Sequence, residues 1–417
     1  MSKEPKMSNT WWTEFGFTEN PYGTGALVEK EGNTLLVGRD NETKQLSQLI
    51  VGQGRWTPKI PILKGDNGVG KTSIVNVVAY RLQNENPQYL FLDVKSERLS
   101  DRDAFRQDLY GEIAEKLLSK KRFLRDHGVS IVEILMVSLL FHSPWIPEGG
   151  VDKVKVKLNQ NPRAEKHLMN IVDKWLGKCF GNKESGALIC AIDNLEMKGT
   201  PREVSDFLDK SRDGVFAIKG LSWVLCGTAS VIEPALARRR LEGYLSELEI
   251  QPVDENLAPE LVQCRIKCFA RDNAVAPVDK SLFQFIYVDV TKKHLRTALS
   301  ICNDFASYLS EIPDRASMDR TKSFKMWLSQ IAGRYVIPAT IPDESWKLFD
   351  YLLNNLNGDC TSEDTWITDY QSSDDLREAA IPLSSCGLVS IEDYGNGFAL
   401  RTTEKGLLVN YNRNTVN

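Results

Sequence analysis

Between Lys59 and Val78 the chain reads KIPILKGDNGVGKTSIVNVV, and no other segment narrows the possible folds so far. A short apolar run, Ile60 to Leu63, enters Gly65-Asp66-Asn67-Gly68-Val69-Gly70-Lys71-Thr72, and a helix-forming segment follows with Ile74, Val75, Val77 and Val78. The pattern G-x-x-x-x-G-K-[ST], set between a strand and a helix, is that of a phosphate-binding loop. Gly65, Gly68 and Gly70 let the backbone turn tightly, so that a row of N–H groups points inward at phosphate oxygens. Lys71 is expected to reach the β- and γ-phosphates, and the Thr72 hydroxyl to ligate Mg²⁺. Residues Gly65 through Ser73 are thus the expected cradle for ATP and Mg²⁺.

A chain of 417 residues with a net charge of −4 has material for two to four domains and lacks a globally basic nucleic-acid footprint. No apolar run approaches the roughly 18 residues of a membrane span. The N-terminal MSKEPKMSNTWW has neither an apolar h-region nor a cleavage pattern, so a cytoplasmic protein is expected. None of the eight cysteines forms C-x-x-C, and Cys264 and Cys268, one helical turn apart, read as helix packing.

Residues 11–40 mix aromatics with turn residues and read as a strap ending in Leu35-Leu36-Val37-Gly38-Arg39, with a helix from Asp40. Buried-strand patterns follow at Gln88–Val94, Ala187–Ile192, Ser222–Cys226 and Leu248–Ile250, with a helix over Ala104–Leu118. The segment 119–165 looks like an insertion. It carries Lys120, Lys121, Arg122 and Arg125, an apolar run Ile131–Phe141, and Lys153, Lys155 and Lys157 alternating along an arm. Leu257 to Leu309 is helical in pattern with a break at Asp272–Val278, and 340–417 reads as helices followed by a hairpin, as in a winged helix.

Triphosphate chemistry also needs a carboxylate for Mg²⁺, a group that orients water and a cation for developing charge. Asp193, at the end of the apolar strand LICAI, fits the Mg²⁺-side carboxylate.

The strap and LLVGR, GDNGVGKT, LICAIDNLE, VLCGTA, ARRR, the lid and the terminal unit together resemble the AAA+ ATPases. The likeness is to the origin-recognition and loader initiators and the related STAND ATPases. The resemblance implies an α/β three-layer P-loop domain with a parallel sheet of order 5-1-4-3-2, a helical lid and a C-terminal winged helix. It implies three domains: strap plus nucleotide-binding domain over 1–253, lid over 254–335, and winged helix over 340–417. It places Gly38 and Arg39 beside the adenine pocket, Thr228 at the polar sensor-one position and Arg296, in KKHLRTALSICNDFA, against the γ-phosphate. One of Arg238, Arg239 or Arg240, expected on a helix, is a candidate finger for a neighbouring subunit.

The clade's glutamate after the Mg²⁺ aspartate is Asn194 here, which orients water but accepts no proton, leaving Glu196 as the nearby substitute. Slow hydrolysis, a switch rather than a motor, is therefore expected. Relatives with this layout often sit in prokaryotic phage-defence or mobile-element systems, which implies control of a partner protein or of self-assembly. The alternative is a DNA-engaging initiator or transposition regulator. Residues 340–417 carry thirteen Asp/Glu against five Lys/Arg, which disfavours DNA at the terminal unit. Lys120, Lys121, Arg122, Lys153, Lys155 and Lys157 are the candidate phosphate-backbone contacts.

Overall fold

The computed structural model describes residues 10–53, 59–142, 162–181, 186–313, 318–336, 341–356, 358–362, 364–366, 370–394 and 397–416. Lys153, Lys155 and Lys157 lie outside the described residues. The chain forms two compact units, one from 41–65 and 71–250, the other from 1–40, 66–70 and 251–417.

The first unit is built on a five-stranded sheet: β1 (Ile60–Lys64), β2 (Leu90–Asp93), β3 (Leu188–Ile192), β4 (Leu221–Gly227) and β5 (Leu245–Glu249). The order is β2-β3-β4-β1-β5, which read from the other edge is 5-1-4-3-2, and every pairing is parallel. Parallel strands need crossover helices, and these cover both faces. The proof is in β3, where LICAI is buried at all five positions although its side chains alternate between faces. Helix Lys71–Glu85 turns Ile74, Val75, Val77, Val78 and Leu82 into the interior, and helix Arg102–Ser119 adds Phe105, Leu109, Ile113 and Leu117. Asp101 starts the latter helix by accepting from the N–H groups of Asp103 and Ala104. The apolar run after the basic segment forms helix Ile131–His142, whose Ile131, Val132, Leu135 and Leu139 remain exposed. Among the described residues no helix is long and apolar enough to cross a membrane.

The second unit gathers the strap, the lid helices and the C-terminal residues. Trp12, Phe15, Phe17 and Tyr22 of the strap lie in one core with Phe283, Tyr287, Phe305 and Phe324 of the lid. The strap, expected with the sheet, therefore packs with the lid. The reason is apolar area: four rings, all buried, pack among themselves around Trp12 and share one core with the lid residues. The Tyr22 hydroxyl is satisfied as well: it donates to the Val278 carbonyl at 2.7 Å and accepts from the Val278 N–H. Arg265 donates to the Gly23 carbonyl, and burial pulls its guanidinium down to about 10.

The lid is made of helices Ala258–Phe269, Lys280–Phe285, Leu295–Ser310 and Arg320–Val336, with a π-turn at Ile286–Val290. The C-terminal residues form helix Asp343–Asn355, β6 (Asp359–Thr361), helix Ser373–Ser385, an antiparallel hairpin β7 (Val389–Tyr394) and β8 (Gly397–Thr402), and helix Glu404–Val416. Their sheet order is β6-β8-β7. The short strand β6 went unread in the sequence because DCT carries no alternation long enough to register.

Helix Glu404–Val416 starts at a cleft of about 530 Å³ lined in part by Asp304, Trp327, Tyr335 and Glu404. Burial, with Asp304 adding like charge, pushes the Glu404 carboxyl up to about 7, against a hydrogen bond from Ser300 that favours the ionised form. A carboxyl whose folded value exceeds its unfolded one holds its proton more tightly when folded, so its contribution is present at low pH and is lost as pH rises through about 7. In thermal melts, wild-type stability should fall between pH 5 and pH 8, and Glu404→Gln should flatten that decline.

Candidate functional site

The phosphate loop takes the shape its glycines permit. Gly68 and Gly70 have φ of +81° and +103°, conformations that other residues enter only with strain. The Lys71 ammonium is 5% exposed and donates to the Gly65 carbonyl at 2.7 Å, so the loop is closed on itself at its two ends. The Thr72 hydroxyl donates to Asp193 Oδ2 at 2.5 Å, which brings together the two residues expected on the Mg²⁺ side. The thiol of the buried Cys226 is pushed up by burial first and by the nearby Asp193 charge second. A closed loop, a buried lysine and an adjacent hydroxyl–carboxylate pair are the donor set that a magnesium nucleotide requires.

Directly after β3 the chain reverses. Asn194 sits at φ 53°, ψ 53°, in the left-handed region, and donates its N–H to Asp193 Oδ1 at 2.9 Å. Asparagine tolerates this conformation better than other side chains with a Cβ. Its own side chain is exposed, and the turn carries Glu196 back into the unit. Glu196 is 6% exposed; its Oε2 accepts from the Thr228 N–H at 3.3 Å, and its Oε1 has no hydrogen-bond partner among the described residues. The structure thus joins Glu196 to the end of β4, where Thr228 caps helix Ala229–Leu236 and shares a 3.0 Å hydrogen bond with the Ser230 hydroxyl.

Two charged groups at the same strand ends escaped the sequence reading. Asp93 closes β2, and its carboxyl is raised by burial and by the neighbouring Asp193 charge, against Lys198 and Lys95. Burial lowers the Lys198 ammonium while its carboxylate neighbours, Glu97 first, pull it up. Lys198 donates to the Ser96 carbonyl at 2.9 Å. The signal for Asp93 was present in QYLFLDV, a buried strand ending in a carboxylate just as LICAID does.

Arg238, Arg239 and Arg240 were expected on a helix, but helix Ala229–Leu236 ends before them and they lie in the turns that follow. Arg238 pairs with Asp206 and with Asp209 at 3.7 Å, and Arg240 with Asp213 at 2.9 Å and Asp209 at 3.4 Å. Arg239 is exposed and makes no ion pair among the described residues. Lys120, Lys121, Arg122 and Arg125 are exposed at and within the short helix Lys121–Asp126.

In the second unit, residues Asp66–Gly70 of the loop meet the strap and lid. Arg39 is 4% exposed and donates to the Val69 carbonyl at 3.1 Å and the Gln251 carbonyl at 2.6 Å, bracing the loop from beneath. Gly38, at φ +70°, is covered by Leu257 so closely that a Cβ would lie 2.6 Å from Leu257 Cδ1. A cleft of about 480 Å³ opens beside this brace, lined by Asp66, Val69, Pro252, Asp254, Lys292 and Lys293 among others. That is a small-molecule size. Lys292 and Lys293 hold φ of 51° and 68°, which no sequence rule for lysine foretells. Arg296, exposed in the first turn of helix Leu295–Ser310, lies beside the loop: a Cβ on Gly68 would stand 3.0 Å from Arg296 Cβ.

These features define a P-loop nucleoside triphosphatase. Residues 39–244 match the model of the KAP family P-loop domain, so this part of the chain is similar to a P-loop NTPase domain. Several solved structures are also similar. The ORC1 protein of Aeropyrum pernix in complex with DNA is 12% identical, with 94% of each chain covered and a TM-score of 0.42. Cdc6p from Pyrobaculum aerophilum is 14% identical, with 96% of this chain and 100% of that one covered and a TM-score of 0.43. The Walker-type ATPase PABY2304 of Pyrococcus abyssi is 14% identical, with 94% and 99% covered and a TM-score of 0.44.

The left-handed turn after β3 yields a direct test. Asn194→Val should cost about 1–3 kcal/mol, because a β-branched residue is strained at this φ, whereas Asn194→Gly should leave stability nearly unchanged in urea titrations.

Proposed function

We propose that this protein is an ATP-dependent switch that hydrolyses its nucleotide with Glu196 as the group that polarises water. The observation carrying the reading is the position of Glu196. It is buried, held by a backbone N–H at the end of β4, and keeps one oxygen without a hydrogen-bond partner among the described residues. A carboxylate so placed accepts a proton, which the exposed Asn194 cannot do. Gly65, Asp66, Asn67, Gly68, Val69, Gly70, Lys71, Thr72 and Ser73 would hold the ATP phosphates. Thr72 and Asp193 would hold Mg²⁺, which when bound neutralises charge on the transferred phosphoryl group. Thr228 orients Glu196 through its N–H, and Arg296 is a lid cation beside Gly68 of the loop. Gly38 and Arg39 act as a brace for the loop rather than as direct nucleotide contacts.

The same reading assigns the finger. Arg238 and Arg240 are committed to Asp206, Asp209 and Asp213, so Arg239 is the member of the trio available to a second copy. Self-assembly in the ATP state then completes the catalytic set, and the assembled form acts on a protein partner, as in phage-defence or mobile-element systems. The acidic C-terminal residues, which we take for a winged-helix-like module, suit protein rather than duplex contact. The second reading, a DNA-engaging initiator, draws on the exposed Lys120, Lys121, Arg122 and Arg125. Neutralising those four would abolish salt-dependent DNA binding if that reading is right, and leave ATP-dependent assembly intact if the first is.

Lys71→Ala should weaken ATP binding by roughly tenfold to a hundredfold, the worth of a charge-assisted hydrogen bond, read by calorimetry. Glu196→Gln should keep nucleotide affinity and slow turnover by about a hundredfold or more. With Arg239→Ala, specific activity should stop rising with protein concentration. Glu196→Gln with unchanged turnover would remove the proposed base.

A further inference from the structure

The C-terminal residues reach the phosphate loop directly. Asn67 Nδ2 donates to Asp359 Oδ2 at 3.0 Å, a bond between residues 292 positions apart in sequence. Asn67 is the second of the five loop residues, Asp66–Gly70, that belong to the second unit. Its backbone is part of the row of amides that would face phosphate oxygens. Asp359 therefore sets a carboxylate on a cradle whose chemistry is to receive anions.

That carboxylate is tied firmly to the hairpin behind it. Asp359 opens β6 and lies opposite Arg401 of β8, followed by Cys360 opposite Leu400 and Thr361 opposite Ala399. The Thr402 N–H donates to the Gly358 carbonyl at 2.7 Å, and Gly358, at φ +88°, is close enough to Thr402 that a Cβ would lie 3.2 Å from its Oγ1. Cys360 and Leu400 are both buried in the C-terminal core. Force on Asp359 is therefore force on the whole module, not on a loose side chain. Arg296, beside Gly68, offers the neighbouring loop position a cation. The same five residues thus meet one group that favours phosphate and one that opposes it.

Resting on the proposed nucleotide site, we propose that Asp359 discriminates between nucleotides by phosphate number, disfavouring ATP more than ADP while the C-terminal module is docked. The Asn67 amide ties this carboxylate to the cradle, and because charges interact over roughly 8 Å at physiological ionic strength, an added phosphate charge on the loop would meet added repulsion from it. ADP leaves the Asn67–Asp359 bond in place. ATP strains or breaks it, and the module is released together with the lost bond. The charge on Asp359 is the selective element, and the hydrogen bond is the latch it closes.

The experiment uses the full chain with ATP and ADP, each with magnesium, in calorimetric titrations at 50 and 300 mM salt. Asp359→Asn, which keeps an oxygen able to accept from Asn67, should raise affinity for ATP at least threefold more than for ADP. In wild type, higher salt should narrow the gap between the two nucleotides, and in the variant it should change that gap little. Asp359→Ala, which removes charge and bond together, should match or exceed the asparagine variant. Equal gains for both nucleotides, or none, would overturn the inference while leaving the nucleotide site standing. Wild type that binds neither nucleotide would overturn the site itself, and this inference with it.

Discussion

The hydrogen bond from the Lys71 ammonium to the Gly65 carbonyl, with the lysine buried, is the constraint on which the site turns. It closes a loop whose glycines would otherwise let it open, and it fixes where helix Lys71–Glu85 begins. Once that helix is placed, the Thr72 hydroxyl falls on Asp193 and the ends of β1 and β3 are linked through side chains. The Lys71 ammonium sits on the Gly65 carbonyl inside the loop, where an arriving phosphate would give it a charge-assisted hydrogen bond. The site is thus poised for an anion by its own folding requirements.

A second constraint acts on the glutamate. The clade's pattern puts the proton acceptor immediately after the Mg²⁺ aspartate, and the departure at Asn194 looked like a loss of chemistry. The backbone explains it differently: asparagine supports the left-handed turn, and the turn delivers Glu196 to the Thr228 N–H. On the proposed reading, that reversal of the chain is what makes up for the two residues of displacement in sequence. Thr228 then serves the site through its N–H, its hydroxyl being shared with Ser230.

The strap shows where local pattern runs out. Its aromatics announced burial, and four of them are buried. Nothing in WWTEFGF or NPYG says which surface buries them, because apolar area is non-directional. Packing resolved it in favour of the lid, with Tyr22 and Arg265 supplying the polar fit. The same limit applies to the arginine trio. Periodicity suggested a helix through ARRR, while Asp206, Asp209 and Asp213, on and just past a separate helix, decided which arginines are occupied.

While the parallel order of the strands was implied only by the family resemblance, the sequence by itself determined the phosphate loop, the apolar strand patterns, the carboxylate ending β3 and the helical character of the lid. Each of these is written in contiguous residues whose spacing has a local physical cause: glycine conformational freedom, apolar runs, helical periodicity. Tertiary structure alone decided the loop brace from Arg39, the strained pair Lys292 and Lys293, the electrostatic neighbourhood of Asp93 and Lys198, and the bond from Asn67 to Asp359. These depend on which distant residues meet, and a hydrogen bond across 292 positions leaves no periodic trace in the chain that makes it.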